Sequence, residues 1–552
     1  MSSLNKGAEE VTVSFQIPKF AVALMERFPV AASYVKWLVE ACYNNPIHLA
    51  VEVVLIVLLL YILFKRPGKK RSKLATLPPN IVQELIDEYQ PEPLCPPLSK
   101  ASELILSDSV ILEEKPAKYT KIRGSDKTLL NAATMDFLGL GQRKEIHDAA
   151  SAALDKYGCG SCGPRGFYGS IDVHVYLEQN LAKFFGTEEA IVYSDANSTA
   201  SSAIPAFSNR ADLLVVDDGC NDSIMTGVNL SRSRVLFFKH NNMEDLERVL
   251  SKVKDEDKRL KRNPQRRFIV VEGLYRNFGD VAPLDKVLQL KKQYLWRLFL
   301  DESHSVGVFG PTGRGVAEQY GIPIKEVDVF VASLSTTLAS VGGFCAGTHE
   351  VVEHQRLSGA GYCFSASSPP FVSTAASAAL EVIDSEGKTK LLPKLKQNSE
   401  FIHAEINRQG KNYVETVSDK SSALVHVRLA DRFRYASSRL EYDAESRYME
   451  ESVLLDICKE VRNRGFLVCM SKYVTNEGAS KTIGSSPRPA LPPPSLRIAV
   501  TSEHEQKELA DLASVLCEVA SGILDKAPTP VLESKGNDDK TQTSESGLKK
   551  RK

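Results

Sequence analysis

The sequence predicts an α/β body built on a mostly parallel sheet with helices on both faces. A smaller α+β domain follows it and one membrane helix precedes it. Three observations carry this reading. Short β-rich apolar runs (AIVYS near 190, DLLVVD near 212, SRVLFF near 233, RRFIVVE near 266, WRLFLD near 296, VDVFVAS near 327) alternate with stretches of helical spacing. From about Lys390 the pattern turns to long helices, short strands and a Pro-rich loop, SSPRPALPPPS. Near the start, Ile47 to Phe64 (IHLAVEVVLIVLLLYILF) holds only His48 and Glu52 as strongly polar residues. At helical rise it is about 27 Å long, close to the thickness a span must cross.

Taken in order, residues 1–46 form a lumenal or interfacial segment, in which FAVALMERFPVAASYVKWLVE (20–40) has amphipathic spacing broken by Pro29. Residues 47–64 are the transmembrane helix. Lys65, Arg66, Lys69, Lys70, Arg71 and Lys73 follow it, against Arg27 and Lys36 on the other flank, so the positive-inside rule puts the long C-terminal body in the cytosol. With 46 residues before the apolar run and no small-residue cleavage site after it, the run does not read as a cleaved signal peptide. Residues 65–115 are a Pro-rich cytosolic linker with one helical patch, IVQELIDEY. The large domain spans 116–389 and the small C-terminal domain 390–525. Residues 526–552 are a polar, disordered tail ending Lys549-Lys550-Arg551-Lys552, similar to a dilysine retrieval signal of the endoplasmic reticulum.

Composition narrows the function classes. Over 552 residues, 69 Lys and Arg balance 69 Asp and Glu, leaving no global pull toward nucleic acid. A 43% hydrophobic and 25% charged chain is neither fibrous nor wholly disordered. Ten Cys in so long a chain make no disulfide scaffold, so most are expected to be reduced, buried thiols.

Two motifs mislead. Gly158-Cys-Gly-Ser-Cys-Gly163 satisfies G-x-G-x-x-G, but a helical pattern precedes it and Pro164, Gly166 and Gly169 prolong the loop. A dinucleotide fingerprint needs a strand before and a helix after. The Cys159-x-x-Cys162 pair has no second pair at ligand spacing, so no metal site is expected. Its likeness to a papain-type C-G-S-C core fails at Gly163, where that family has an aromatic residue.

The string LFLDESHSVGVFGPTGRG (298–315) is more specific. A strand delivers Asp301 to its carboxyl end, His304 follows in the turn, and a glycine-rich loop closes behind them. A carboxylate there can pair with a protonated pyridine nitrogen and make the ring a better electron sink.

This string resembles the α-oxoamine synthases, pyridoxal-phosphate (PLP) enzymes of fold type I, which condense an amino acid with an acyl-CoA and lose carbon dioxide. MDFLGLG (135–141), GPRGFYGSIDVHVYLEQNLAKFFG (163–186), EGLYRNFGDVAPL (272–284) and SLRIAVTSEH (495–504) follow the family's order, and the likeness runs from about residue 116 to 520. CGPRGFYG and GYCFSASSPP beside a single span resemble the serine palmitoyltransferase branch. The resemblance implies a fold type I PLP-transferase body and a dimer with its active sites at the interface.

It also implies a deficit. Catalytic members carry a lysine after the strand that follows the DEAHS-type motif; its amine holds PLP as an imine. Counting back from Gly342-Gly343 in ASLSTTLASVGG places Thr336 there, and a hydroxyl forms no imine. Lys325 precedes the strand and belongs at its far end. The histidine that stacks on the PLP ring is replaced by Asn221 in DDGCNDSIMTG. No catalytic residue is therefore expected in this chain. Asp301 and His304 remain as family matches, possible relics of a cofactor site. Ser365 and Ser367 match the segment that crosses to the partner's PLP phosphate, Cys162 and Arg165 are placed to shape the partner's substrate pockets, and Arg497 matches the arginine that grips the substrate carboxylate.

The expected role is a non-catalytic but required subunit of a membrane-bound serine palmitoyltransferase. PLP would be held by a lysine-bearing long-chain-base partner, with small regulatory membrane subunits as further partners. The expected site is the endoplasmic reticulum membrane. The alternatives are a self-sufficient homodimeric synthase, or a membrane scaffold that contributes nothing to the site.

Overall fold

The structure, a computed structural model, describes residues 33, 37, 46–64, 78–89, 91, 97–261, 265–473, 485–487 and 489–526. The amphipathic stretch at 20–40, the basic cluster after Phe64 and the C-terminal tail lie outside the described residues, apart from positions 33 and 37. Two compact units divide the chain, Met1–Pro97 and Leu98–Lys552.

The first unit contains the helices Pro46–Phe64 and Pro79–Glu88. Every described side chain of Pro46–Phe64 is exposed, and the longest unbroken described run is Val53 to Phe64. Among the described residues, no helix is long and apolar enough to cross a membrane. Pro79–Glu88 starts on a proline, as helices favour, and buries none of its residues.

The second unit begins with Lys100–Ser107, a helix absent from the linker expected over 65–115. Ser99 caps it by accepting Ser102 N–H at 3.2 Å. Strands β1 (Tyr119–Lys121) and β2 (Thr128–Asn131) follow. The main sheet is then laid down by β3 (Glu189–Tyr193), β4 (Leu213–Asp217), β5 (Arg234–Phe238), β6 (Arg267–Glu272), β7 (Arg297–Asp301), β8 (Val329–Ser333) and β9 (Gly343–Gly347). Its order is β3-β9-β8-β7-β6-β4-β5, and only β9 runs against its neighbours.

All six expected strands are present. β4 and β8 are buried along their whole length, as strands covered on both faces must be. The remaining strands are β10 (Val414–Thr416), β11 (Leu424–Leu429), β12 (Phe466–Leu467), β13 (Cys469–Met470) and β14 (Leu496–Ala499), and the helix Gln506–Leu524 follows them. A four-stranded antiparallel sheet, β10-β11-β14-β13, stands apart from the seven-stranded one. Between them the backbone is helical from Pro370 to Gln409, passing through a π-helical stretch at Ile383–Leu391. The parallel topology brings Asp217, Glu272, Asp301 and Ser333 to one end of the sheet, where ligand sites of such folds lie.

Candidate active-site cleft

β4 ends on Asp217, whose carboxylate organises the following turn. It accepts Gly219 N–H at 2.7 Å, Asn241 N–H at 2.9 Å and the Tyr275 hydroxyl at 3.0 Å. His240 lies between Asp217 (2.8 Å) and Asp280 (3.0 Å). Burial opposes its charge, but the two carboxylates outweigh that and push it up to about 10, so it is an imidazolium.

The turn ends at Asn221. Its side-chain oxygen accepts Ser223 N–H (2.9 Å) and Ile224 N–H (3.1 Å), capping the helix Asp222–Ser231. Its amide nitrogen reaches Asp301 at 3.4 Å. The residue at the expected ring-stacking position is thus committed to a helix cap.

β6 and β7 are paired so that Glu272 and Asp301 stand opposite each other. Both are buried. Burial raises both, and for Glu272 the neighbouring Asp301 charge adds to it, so the pair retains a proton where isolated carboxyls would have lost theirs. Glu272 accepts Asn221 N–H at 2.6 Å and Arg276 N–H at 3.1 Å; Asp301 accepts Ser303 N–H at 2.9 Å.

His304 is buried, and among the described residues its Nδ1 has no hydrogen-bond partner. Burial, then the positive charges of Arg276 and Arg497, hold this imidazole neutral down to about 3. His426, on β11 opposite Arg497, is held down to about 3 for the same reasons. Its Nδ1 lies 2.9 Å from Ser495 Oγ, and its Nε2 donates to the Arg276 carbonyl at 3.0 Å. Arg497 Nε is buried without a partner.

β8 ends at Ser333, and the next residues form a tight serine-threonine turn. Thr336 Oγ1 donates to the Ser303 carbonyl at 2.8 Å, and Thr337 Oγ1 donates to Val306 at 2.7 Å. Asn221, Asp301, His304, Arg276 and Thr336 line a cavity of about 130 Å³, and no lysine is among its lining residues. Small-molecule sites run to about 300–1,000 Å³. The residues present do not fit a covalently held PLP: the anchoring amine is absent, the ring-stacking position is a capping asparagine, and the space is small. Lys325 lies in the turn Ile324–Glu326 at the amino end of β8, as expected.

The remaining expected site residues divide. Ser365 is half-buried, and its Oγ lies 2.9 Å from Ser194 Oγ. Ser367 is buried: its hydroxyl lies 2.5 Å from the Gly169 carbonyl oxygen and 3.0 Å from that of Gly163, and donates its proton between them. Gly169 passes so close that a Cβ there would sit 1.9 Å from the Gly163 oxygen. Arg165 is likewise turned inward. It is buried in a bidentate pair with Glu178, both contacts at 2.9 Å, and bonds Ser170 Oγ at 3.0 Å. It braces its own loop. Cys162 is exposed on that loop with φ +59°, and Tyr168 beside it is fully exposed with φ +66°.

Glu272, Arg276 and His426 were not among the expected site residues. Glu272 was legible, because it ends the run RRFIVVE as Asp301 ends WRLFLD. His426 had no such signal, since it arrives from the second sheet. The eight described cysteines are all free, four of them buried, in line with reduced thiols.

Known proteins resemble this chain along most of its length. The family model Aminotransferase class I and II matches residues 126–516. "Serine palmitoyltransferase 1" of Dictyostelium discoideum is 38% identical over 480 residues, covering 87% of this chain and 95% of that protein. "Long chain base biosynthesis protein 1" of Arabidopsis thaliana is 41% identical over 383 residues, covering 68% and 77%. Among solved structures, a serine palmitoyltransferase of Sphingomonas wittichii superposes with a TM-score of 0.62 at 24% identity, covering 75% of this chain and 92% of its own.

Proposed function

From the premise that this chain belongs to the serine palmitoyltransferase 1 and long chain base biosynthesis protein 1 family, within the fold type I PLP transferases, we propose that it is the non-catalytic but required subunit of a serine palmitoyltransferase. The complex condenses L-serine with palmitoyl-CoA, with loss of carbon dioxide, to 3-ketodihydrosphingosine, the first committed product of sphingolipid synthesis. The partner is the lysine-bearing long-chain-base subunit 2, which holds the PLP and supplies its electron-sink chemistry.

One observation supports the reading: Thr336, which the sequence motif assigns to the family lysine's position, spends its only donor on the Ser303 carbonyl. Nothing in that cavity can anchor the cofactor covalently, while the acid at the end of β7 and the histidine after it persist.

What this chain supplies is a surface. The 159–169 loop presents Cys162, Phe167 and Tyr168 to solvent, and Ser365 presents its hydroxyl nearby in sequence to the buried Ser367 brace. We assign Cys162 to shaping the partner's substrate pocket and Ser365 to the partner's PLP phosphate. Arg165 and Ser367 keep the loop that carries Cys162 in place. The helix Pro46–Phe64 is assigned to the endoplasmic reticulum membrane as a single span with the enzyme body cytosolic, which places the complex beside its long-chain substrate. Small regulatory membrane subunits would bind in that region.

The test is purification of the chain alone and with a lysine-bearing partner, each with added PLP. Turnover of serine plus palmitoyl-CoA is expected only from the pair. A borohydride-trapped phosphopyridoxyl group on any cleft residue of the lone chain, or turnover by it, overturns the proposal.

A further inference from the structure

The seven-stranded sheet has a second concave end. A cavity of about 660 Å³ opens at the amino ends of the parallel strands, within the range of small-molecule sites. It is walled by Phe207, Phe268 and His354 and edged by Arg266, Arg297 and Lys325. A neighbouring cavity of about 460 Å³ shares Arg266 and Arg297, so both guanidinium groups stand at the junction of the two. Five residues of β8, about 16 Å of strand, separate this end from the cleft around Thr336.

Three cations, Arg266, Arg297 and Lys325, and three acids, Glu188, Asp328 and Glu350, line this cavity. Among the described residues, none of Arg266, Arg297 and Lys325 is ion-paired; Arg266 Nη1 donates to the Phe207 carbonyl at 3.1 Å, and Arg297 lies 6.0 Å from the centroid of Phe268. The acids that share the cavity are already engaged. Asp328 is held by Lys291 at 2.6 Å and by Leu298 N–H at 2.8 Å. Glu188 accepts His349 N–H at 2.9 Å, and backbone and Thr348 hydrogen bonds at the start of the helix His349–Ser358 hold Glu350 below its ordinary range.

The walls are aromatic as well as apolar. Phe207 stands 5.1 Å from His354 and 6.5 Å from Phe268, ring centre to ring centre. Planar rings beside forked guanidinium groups suit a flat base carrying phosphate. With Asp328 paired to Lys291, the three cations exceed the two remaining acids, and their donors suit phosphate oxygens.

We infer that this cavity is a nucleoside-phosphate site, with the base against Phe207 and Phe268 and the phosphates on Arg266, Arg297 and Lys325. Lys325, the lysine nearest in sequence to Thr336, has its place in this site and not in the cleft. The inference does not depend on which subunit holds PLP.

The experiment titrates fluorescent methylanthraniloyl-ADP into the detergent-solubilised full-length chain and follows fluorescence anisotropy. ADP, coenzyme A and inorganic phosphate serve as competitors. Saturable binding is expected, displaced by ADP; displacement by coenzyme A as well would show that a long substituent on the phosphate is accepted. Arg297→Glu with Lys325→Glu should weaken binding at least tenfold, Arg297→Ala should weaken it severalfold, and Lys252→Glu on the exposed face of another helix should leave it unchanged. Far-ultraviolet melting curves confirm that each variant is folded. The inference is overturned by absence of saturable binding, by equal binding in the folded Arg297→Ala variant, or by inorganic phosphate competing as well as ADP.

Discussion

Thr336 Oγ1 donates a 2.8 Å hydrogen bond to the Ser303 carbonyl, tying the turn after β8 to the turn after β7. The hydroxyl has become a structural strut across the mouth of the cleft, between the strand that ends in Ser333 and the one that ends in Asp301. Thr336→Val keeps the volume and leaves the carbonyl without this donor. It should cost about 1–3 kcal/mol, seen as a lower urea midpoint by circular dichroism. Turnover of the assembled complex should be unchanged per mole, and a collapse of turnover at wild-type stability would contradict the strut.

The Arg165–Glu178 pair gives a separable prediction. Both groups are buried and bidentate, and Glu178 also accepts Val192 N–H at 3.0 Å. Arg165→Met leaves a buried carboxylate unpaired and should destabilise by about 3–5 kcal/mol. Adding Glu178→Gln removes that charge while keeping an acceptor for Val192, so the double variant should be more stable than Arg165→Met alone. Chemical denaturation of the three proteins decides it.

The division between what was legible and what was not follows from where a residue's partners lie in sequence. Strands β3 to β8 announced themselves because each is a β-branched or aromatic run closed by a polar residue. β9, GFCAG, has no such signature. It lies between β3 and β8 where room is short: a Cβ on Gly343 would meet Thr199 Oγ1 at 2.3 Å. Asp301, His304, Asn221 and Thr336 converge on one cavity because strand ends of a parallel sheet are neighbours by construction. Arg165 and Ser367 were read only for their reach toward a partner chain, because buried partners within this chain leave little mark in the sequence. Glu178 sits among Leu177, Leu181 and Phe184 on the buried face of a helix, and Gly163 lies some 200 residues before Ser367. An acid on an apolar helix face was the available clue to the first; the second left no trace in the sequence.

Acid sensitivity should trace to the buried imidazoles, of which His304 and His426 are held down furthest. His304 and His426 remain neutral in the fold down to about 3, whereas an unfolded histidine takes up its proton near 6.5. Between those values the unfolded state binds more protons, so stability rises with pH and is lost as pH falls below about 6.5. Each group contributes up to about 1.4 kcal/mol per pH unit over that window. His304→Gln, which cannot titrate, should give a shallower slope of unfolding free energy between pH 6.5 and 4, measured by urea denaturation at each pH. An unaltered slope would place the acid sensitivity elsewhere.

The helix Pro46–Phe64 supplies the last prediction, because its exposed side chains are almost all aliphatic or aromatic. Val54, Leu58, Leu59 and Leu63 are each at least half exposed, an apolar surface on every side that water would penalise. Expressed in cells, the full chain should stay in the membrane pellet after alkaline carbonate extraction. An arginine at the centre of a span costs about 2.5–3.5 kcal/mol, so Leu58→Arg with Leu59→Arg should release most of the protein to the supernatant. Glu52 lies nearer the amino end of the helix, where one charge is tolerated more cheaply. Glu52→Leu should therefore strengthen retention without being needed for it. If the double-arginine protein still pellets, another segment anchors the chain; if the unaltered protein extracts freely, the helix does not span.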